Sequence, residues 1–530
     1  MRVVHVTGNA HNDPSVSRLS TTTMPFSLEV IQQHLLSNQI PTDEERHKFK
    51  DSLSEWVQSA QVLRNELAAA GEHVERNHPA EAIKGQLAVA EEHIAYHLDL
   101  LSGWRRLPIE LMGEILNAAI PQIPPAVPNL VRRLRLVCKR WNEIALAEAR
   151  LWGDLTLLVS GPFSARKVMN WLSRGNSTER SLAVSNDPWK SPDGLCDGGR
   201  KCPMRNTALA TILAQGPVLN HLTIGGIVNY QYGCLKHLVN TINTIQPKTP
   251  SQELRPWDTL QSLALHRFGH SPTLPLVDPE VDFLKCIPPS VTRLEIDLPA
   301  ITLPSLNPVV LHRLQSLTMH LYCMPLSAGP NLEILGSCHQ LQLLSINLFF
   351  LDSPTQPIPS QVVVLPSLKT IHVGVHRRIA SADMRSLLGY LNTPSLDTLQ
   401  IRFNDMPSRS LERPTLGLEE VHESTLHCCN LHLIYADFQA VDLGTALSRL
   451  TSLKHLTLEH CTLSPEMFAT LGSGFLPRLR TIVLIFSWDC LEVANMWKSM
   501  EIFAERWGGK VHELGKGLIQ ITLGRRSLDG

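Results

Sequence analysis

Three places in the chain put chemically capable side chains at suggestive spacing. His93 and His97 in EEHIAYH stand four residues apart, the separation at which two imidazoles on one helical face can share a metal ion. The helical zinc-hydrolase pattern also needs a Glu directly after the first His, and Ile94 occupies that place. Cys196 and Cys202 lie in SNDPWKSPDGLCDGGRKCP, with no second pair nearby to complete a zinc site. GGKVHELGKG, residues 508–517, approaches a phosphate-cradling loop. It misses the glycine spacing by one, and Gly517 stands where a Ser or Thr would hold magnesium. The chain contains neither Gly-x-Ser-x-Gly nor Gly-x-Gly-x-x-Gly. A non-catalytic protein without metal or cofactor is expected.

A fourth stretch, VCKRWNEIA, raises a question of contact rather than catalysis. At helical spacing Val137, Cys138, Trp141, Ile144 and Ala145 share one face, while Lys139, Arg140 and Asn142 point away. Upstream, WRRLPIELMGEILNAAI places Pro108 at a favourable first-turn position and runs an apolar stripe through Leu111, Ile115 and Leu116, with Glu110 and Glu114 outside. Leu130 and Leu134 lead into the second stripe, and Trp152, Leu155 and Leu157 follow it. Three short helices in about fifty residues bury too little surface to be comfortable alone. Their stripes must be covered, either by the rest of this chain or by a partner.

The elements around them are legible from periodicity. Residues 1–41 are rich in Ser, Thr, Asn and Pro, and read as a poorly ordered tail. Thr42 and Glu45 form a capping box for a helix whose apolar positions Phe49, Leu53, Trp56, Ala60, Leu63, Leu67, Ala70 and Val74 alternate in steps of four and three. Asn77-His78-Pro79 breaks the pattern, and Ile83, Leu87, Ala90, Ile94, His97 and Leu101 resume it. Residues 42–101 are therefore an antiparallel helical hairpin or a short intermolecular coiled coil. The break supplies a turn for the first, and His97 on the apolar seam reads as a core histidine. Residues 158–215 read as a loop-rich linker and solenoid start.

From 216 to 525 the chain repeats Leu-x-x-Leu-x-Leu. Copies begin at Leu219, Leu260, Val291, Leu314, Leu341, Leu368, Leu396, Leu426, Leu453 and Leu479, and from Val291 onward the intervals run from 23 to 30 residues. This is the period of leucine-rich repeats, in which stacked short strands bury a shared apolar edge and turn alternate residues to the concave side. The eighth copy reads Leu426, Cys429, Leu431. Asn404 and Cys461 hold the position after the strand that bonds the loop backbone, and Cys428 and Cys429 read as strand residues, one of them inward. The fold class is thus an α/β repeat with an N-terminal helical part.

Lys and Arg number 48 against 49 Asp and Glu, a formal net charge of -1. That balance gives no electrostatic reason to expect nucleic acid or an anionic membrane as partner. No run of eighteen apolar residues suggests a membrane span, and the eleven scattered cysteines fit reduced thiols, so a cytoplasmic or nuclear protein is expected.

Leu107-Pro108-x-Glu110-Leu111, Ile115-Leu116, Val137-Cys138-Lys139-Arg140-Trp141 and Leu151-Trp152-x-x-Leu155-x-Leu157 together resemble the F-box, over residues 102–157. The link IPQIPPAVPNL is longer than in the family's commoner members and should loop out. A helical segment, an F-box and irregular leucine-rich repeats in this order are similar to F-box proteins of mushroom-type fungi. The resemblance implies a three-helix F-box in the receptor subunit of a Skp1–cullin–F-box ubiquitin ligase. It implies that Leu107, Pro108, Leu111, Ile115, Leu116, Val137, Cys138 and Trp141 contact, or support contact with, a Skp1-like adaptor and through it a cullin. Lys139 and Arg140 would lie toward solvent or the rim, and the repeats would hold a protein substrate. A repeat scaffold that recruits no ligase is the alternative.

Overall fold

A computed structural model of the chain describes residues 30–31, 33–34, 40–70, 78–119, 127–158, 163–175, 178–185, 205–225, 233–246, 254–266, 285–298, 306–322, 334–349, 362–375, 388–403, 427–435, 443, 447–461, 476–485, 493–515 and 518–523. The chain divides into two compact units. One is Met1–Gln122 with Pro128–Glu148, and the other is Ile123–Val127 with Ala149–Gly530.

The first unit opens with helices α1 (Asp43–Ala70) and α2 (His78–Leu101), packed on each other. The capping box forms: the Glu45 carboxylate accepts the Thr42 N–H at 2.8 Å, and Thr42 Oγ1 accepts the Glu45 N–H at 3.3 Å. Phe49 meets His97 edge-to-face, Trp56 stacks on His93 at 4.1 Å, and Arg64 pairs with Glu91 at 2.9 Å. Residues early in α1 thus meet residues late in α2. That is the antiparallel hairpin, closed within one chain.

His97 explains its own position. It is fully buried, with Nδ1 2.7 Å from the His93 carbonyl and Nε2 3.1 Å from Ser52 Oγ, so both ring nitrogens are already engaged. His93 lies under the Trp56 ring, and burial, followed by repulsion from His97, holds its pKa below the ordinary value. Metal ligation has no place in this packing. The expected tail needs one correction: Ile31 is buried against Phe49 and Leu100, and His34 meets Phe49 edge-on. An apolar side chain finding a complementary gap overrides the polar composition around it.

The described part of this unit continues with helices α3 (Ile109–Ala118), α4 (Val127–Arg135) and α5 (Lys139–Ala147). The second unit starts with a single turn, α6 (Arg150–Gly153), which runs directly into strand β1 (Asp154–Leu158). Next come α7 (Ala165–Leu172), β2 (Ser181–Ser185), α8 (Thr207–Gln215), β3 (His221–Gly225), α9 (Gly233–Thr244), β4 (Ser262–Leu265), β5 (Arg293–Leu298), α10 (Pro308–Arg313), β6 (Ser316–Tyr322) and β7 (Leu343–Phe349). They are followed by β8 (Val363–Val364), β9 (Thr370–Val375), β10 (Leu391–Asn392), β11 (Thr398–Phe403), β12 (Asn430–Ile434), β13 (His455–Glu459) and β14 (Thr481–Ile485). Helix α11 (Val493–Arg506) and strands β15 (Lys510–Gly515) and β16 (Leu518–Thr522) end the described chain. No helix among the described residues is long and apolar enough to cross a membrane.

Among the described residues fourteen strands form one sheet in the order β1-β2-β3-β4-β5-β6-β7-β9-β11-β12-β13-β14-β16-β15; β8 and β10 pair separately. The neighbours from β1 to β14 are parallel and in register, so that Leu222, Leu263, Leu294, Leu317 and Leu344 stack as one buried row. A backbone spine fixes this register. The carbonyl two residues before each stacked leucine accepts two N–H groups of the next rung, as Asn220 does from Gln261 and Ser262, and Gln342 from Lys369 and Thr370. The buried rows and the faces of α7, α8, α9 and α10 share one continuous core.

The sheet begins earlier than the repeats suggest. Leu155 pairs with Leu182 and Leu182 with Leu222, so β1 is a rung at the end of the stretch expected to be F-box, and β2 lies in the stretch expected to be linker and solenoid start. In these two rungs the first leucine place is held by Trp152 and Glu179, which hides the pattern. The eighth expected copy is misplaced by two residues: Leu399 pairs with Leu431 and Ile401 with Leu433, which puts Cys428 at the leading position. Cys428 is buried, and burial, then Cys429, pushes its thiol up to about 12; Cys429 is half-buried just before the strand. Cys461 is buried, and its Sγ lies 3.4 Å from the Leu433 carbonyl of the preceding strand β12 rather than from a loop carbonyl. Asn404, Leu426, Cys196 and Cys202 lie outside the described residues.

The 508–517 segment is no phosphate loop. Residues 510–515 are β15, antiparallel to β16, which itself pairs antiparallel with β14. Gly508 has φ 60°, and a side chain on Gly509 would collide with the Thr522 carbonyl. Those glycines serve the hairpin that ends the sheet, and Gly517 lies outside the described residues.

Candidate protein-docking interface

All eight residues singled out between Leu107 and Trp141 fall in the first unit. Helix α3 starts one residue later than its Pro suggests: Pro108 is the N-cap, and its carbonyl accepts the Met112 N–H at 3.0 Å. The inner face of α3 is Met112, Gly113 and Leu116, all buried. A side chain on Gly113 would come within 2.7 Å of the Glu148 carboxylate, so glycine here permits close approach of the segment after α5. Leu111, by contrast, is 51% exposed beside the exposed Glu110, and Ile115 is half-buried on the shoulder between the two faces.

The VCKRWNEIA stretch is not one helix. Leu136 and Val137 form a turn after α4, Cys138 is an extended cap, and α5 begins at Lys139. Only Ile144 and Ala145 of α5 are buried. Val137 is 55% and Leu136 76% exposed, whereas Cys138 and Trp141 are half-buried. The expected single face therefore splits into an inner set (Leu116, Ile144, Ala145), an outer set (Pro108, Leu111, Val137) and a half-buried set between them (Leu107, Ile115, Cys138, Trp141). Leu116 can act only from beneath the surface.

Arg140 is the residue sequence reasoning misplaced. Its guanidinium donates to the Leu107 carbonyl and is half-buried, so it ties the entry of α3 to the start of α5. Asn142 likewise accepts the Arg135 Nε–H at 2.8 Å, linking α4 to α5. Only Lys139 of the basic pair is exposed. Helices α3 and α5 pack together, and these two hydrogen bonds fix the loops that carry Leu107, Pro108 and Val137. Leu136 and Ile109, the latter 50% exposed, are further apolar surface that the sequence pattern did not single out. In the second unit, Trp152 is sealed under Trp171 and Arg174, 4.5 and 4.6 Å away. Further along the pattern, Leu155 belongs to the solenoid core and Leu157 packs against it.

Among the described residues no group of three His, Cys, Asp or Glu could hold a metal. What α3, α4 and α5 offer instead is a small apolar surface with a fixed backbone, suited to non-covalent contact.

Residues 104–157 match the sequence profile of the family described as F-box-like. No curated protein sequence matches the chain. Among solved structures, the leucine-rich repeat-containing protein LegL7 of Legionella pneumophila matches at 12% identity, over 65% of this chain and 97% of that one, with a TM-score of 0.28.

Proposed function

We propose that a chain carrying an F-box-like segment followed by this repeat sheet is the substrate-receptor subunit of a Skp1–cullin–F-box ubiquitin ligase. One observation carries the reading: the F-box-like match coincides with helices that leave Pro108, Leu111 and Val137 open beside a hydrogen-bonded frame. A Skp1-like adaptor would cover these side chains, each exposed Leu or Val contributing roughly 1.5–3 kcal/mol when fully buried. A cullin would be recruited through the adaptor. The repeat sheet would hold the target protein. Catalysis would then be by proximity, with the target lysine held near a charged conjugating enzyme and no covalent step on this chain. Such a subunit would work in the cytoplasm or nucleus.

Co-purification of the full chain with a Skp1-like adaptor tests this. Wild type should retain the adaptor, and Leu111→Arg should weaken it by about 30-fold or more, the effect of losing a hot-spot contact. Retention by both, or by neither, overturns the reading at this surface. The alternative, a repeat scaffold without ligase recruitment, draws its support from Leu116, Ile144 and Trp152, which are already sealed by this chain.

A further inference from the structure

The sheet face turned away from the core changes character along its length. In β1 to β4 the residue between the two inward positions is Thr156, Ala183, Thr223 or Ala264, all small and neutral. In β9, β11 and β12 it is His372, Gln400 or His432. Two residues further along, Arg402 of β11, Ile434 of β12 and Glu459 of β13 share a row.

The ends of these strands carry a second anomaly. One residue beyond that row, β7, β9 and β11 place Leu348, Val375 and Phe403, all buried. The corresponding residues after β12 and β13 are Tyr435 and His460, with φ 54° and 51°, the described non-glycine residues in the left-handed region. Both still donate their N–H to the next strand, Tyr435 to the Glu459 carbonyl at 2.8 Å and His460 to that of Ile485 at 2.6 Å. A glycine or asparagine would make such a turn at less cost. Bulky aromatic residues held there stack half-buried at 4.9 Å, with Arg402 5.9 Å above the Tyr435 ring. Strain of this kind collects at functional sites.

The charges around the stack are unequal. His432 holds the Glu459 carboxylate at 2.9 Å and His460 approaches it at 3.9 Å, so its charge is shared by two imidazoles. His460 Nδ1 is buried without a hydrogen-bond partner. Arg402 is exposed, and no carboxylate among the described residues pairs with it. An exposed guanidinium resting on an aromatic ring is a fork for a carboxylate.

We infer that Arg402, Tyr435, His460 and the His432–Glu459 pair form the target-recognition centre of the repeat sheet, taking an acidic protein segment whose carboxylate lies on Arg402 and whose backbone or flanking side chain rests on the Tyr435–His460 stack. The inference builds on the receptor reading, since it names what the repeats hold. Burial, then His432, keeps the pKa of nearby His372 below the ordinary value.

The test uses the full chain with its adaptor and fluorescently labelled twelve-residue peptides: one rich in Asp and Glu, one with Asn and Gln in their place, one with Lys, and one with phosphoserine. Anisotropy should show the acidic peptide binding at least tenfold tighter than the Asn/Gln peptide. Arg402→Glu should remove that preference. Arg293→Glu, the same charge change at an exposed site on β5, should leave it intact. Tyr435→Gly, which relieves the backbone, should weaken the acidic peptide at least tenfold without lowering the melting temperature. Equal loss in both arginine variants means a general field effect and overturns the inference. A phosphoserine peptide more than tenfold tighter than the carboxylate one overturns it as well, as does a Tyr435→Gly variant that binds normally. Adaptor co-purification is read in parallel: its loss with peptide binding intact counts against the receptor reading, and its retention with no acidic preference counts against this centre.

Discussion

The helices α3 to α5 and the repeat sheet solve the same problem in opposite ways. In the sheet, apolar residues of the repeat interlock row on row: Leu344, Ile346, Leu399 and Ile401 are all fully buried, and the residues between them are polar. In the helices and the turn between α4 and α5, Leu111, Leu136 and Val137 keep half or more of their surface in water although Met112, Leu116 and Ile144 are sealed. A solenoid can always add a rung to cover an apolar edge. Three short helices cannot, and Leu111, Leu136 and Val137 stay open to water.

That contrast can be broken by mutation. Leu399→Ala should cost about 2–5 kcal/mol in denaturant unfolding, because the cavity it leaves is walled by neighbouring rungs. Leu111→Ala should stay within about 0.5 kcal/mol of wild type, as an exposed position does. Comparable losses at both would mean that Leu111 is structural. A smaller effect sharpens the boundary of the helical unit: Thr42→Ala removes the acceptor of the Glu45 N–H and should cost about 1 kcal/mol, read from the melting of the hairpin signal. A loss confined to the sheet signal would contradict the division into two units.

The smallest effect concerns acid. On β5, Glu295 lies between His320 at 3.5 Å and His266 at 3.8 Å, and the His320 contact holds its carboxyl below the usual 4.5, against an opposing effect of burial. A lowered folded-state pKa stabilises the fold above the unfolded value, and that contribution disappears as pH falls through the folded one. Solvent reaches the group, so the effect should be below about 1 kcal/mol. Glu295→Gln should therefore flatten the stability curve below pH 4.5 and leave its remainder unchanged. A steeper acid limb in the variant would contradict the assignment.

Periodicity made the solenoid legible because each rung must supply the same two inward residues. It failed where a rung substitutes its leading leucine: Trp152 and Glu179 hid β1 and β2, and the decoy pair Leu426 and Cys429 shifted β12 by two. In the helical unit the hairpin was legible from its alternation and from Pro79, and the side chains that close it, Ser52 on His97 and Ile31 on Phe49, were not, because they depend on tertiary packing. The open apolar surface was half legible. Residue types marked Leu111 and Val137, yet no spacing rule could foresee a turn at Leu136–Val137 or Arg140 reaching the Leu107 carbonyl.

The central claim is that this apolar surface is completed by an adaptor. Calorimetric titration of the purified chain with a Skp1-like adaptor, repeated across temperatures, reads it most directly. The account predicts one-to-one binding with a negative heat-capacity change, abolished in both Leu111→Arg and Val137→Arg. Absence of heat with wild type at every temperature, or identical isotherms for wild type and both variants, contradicts it.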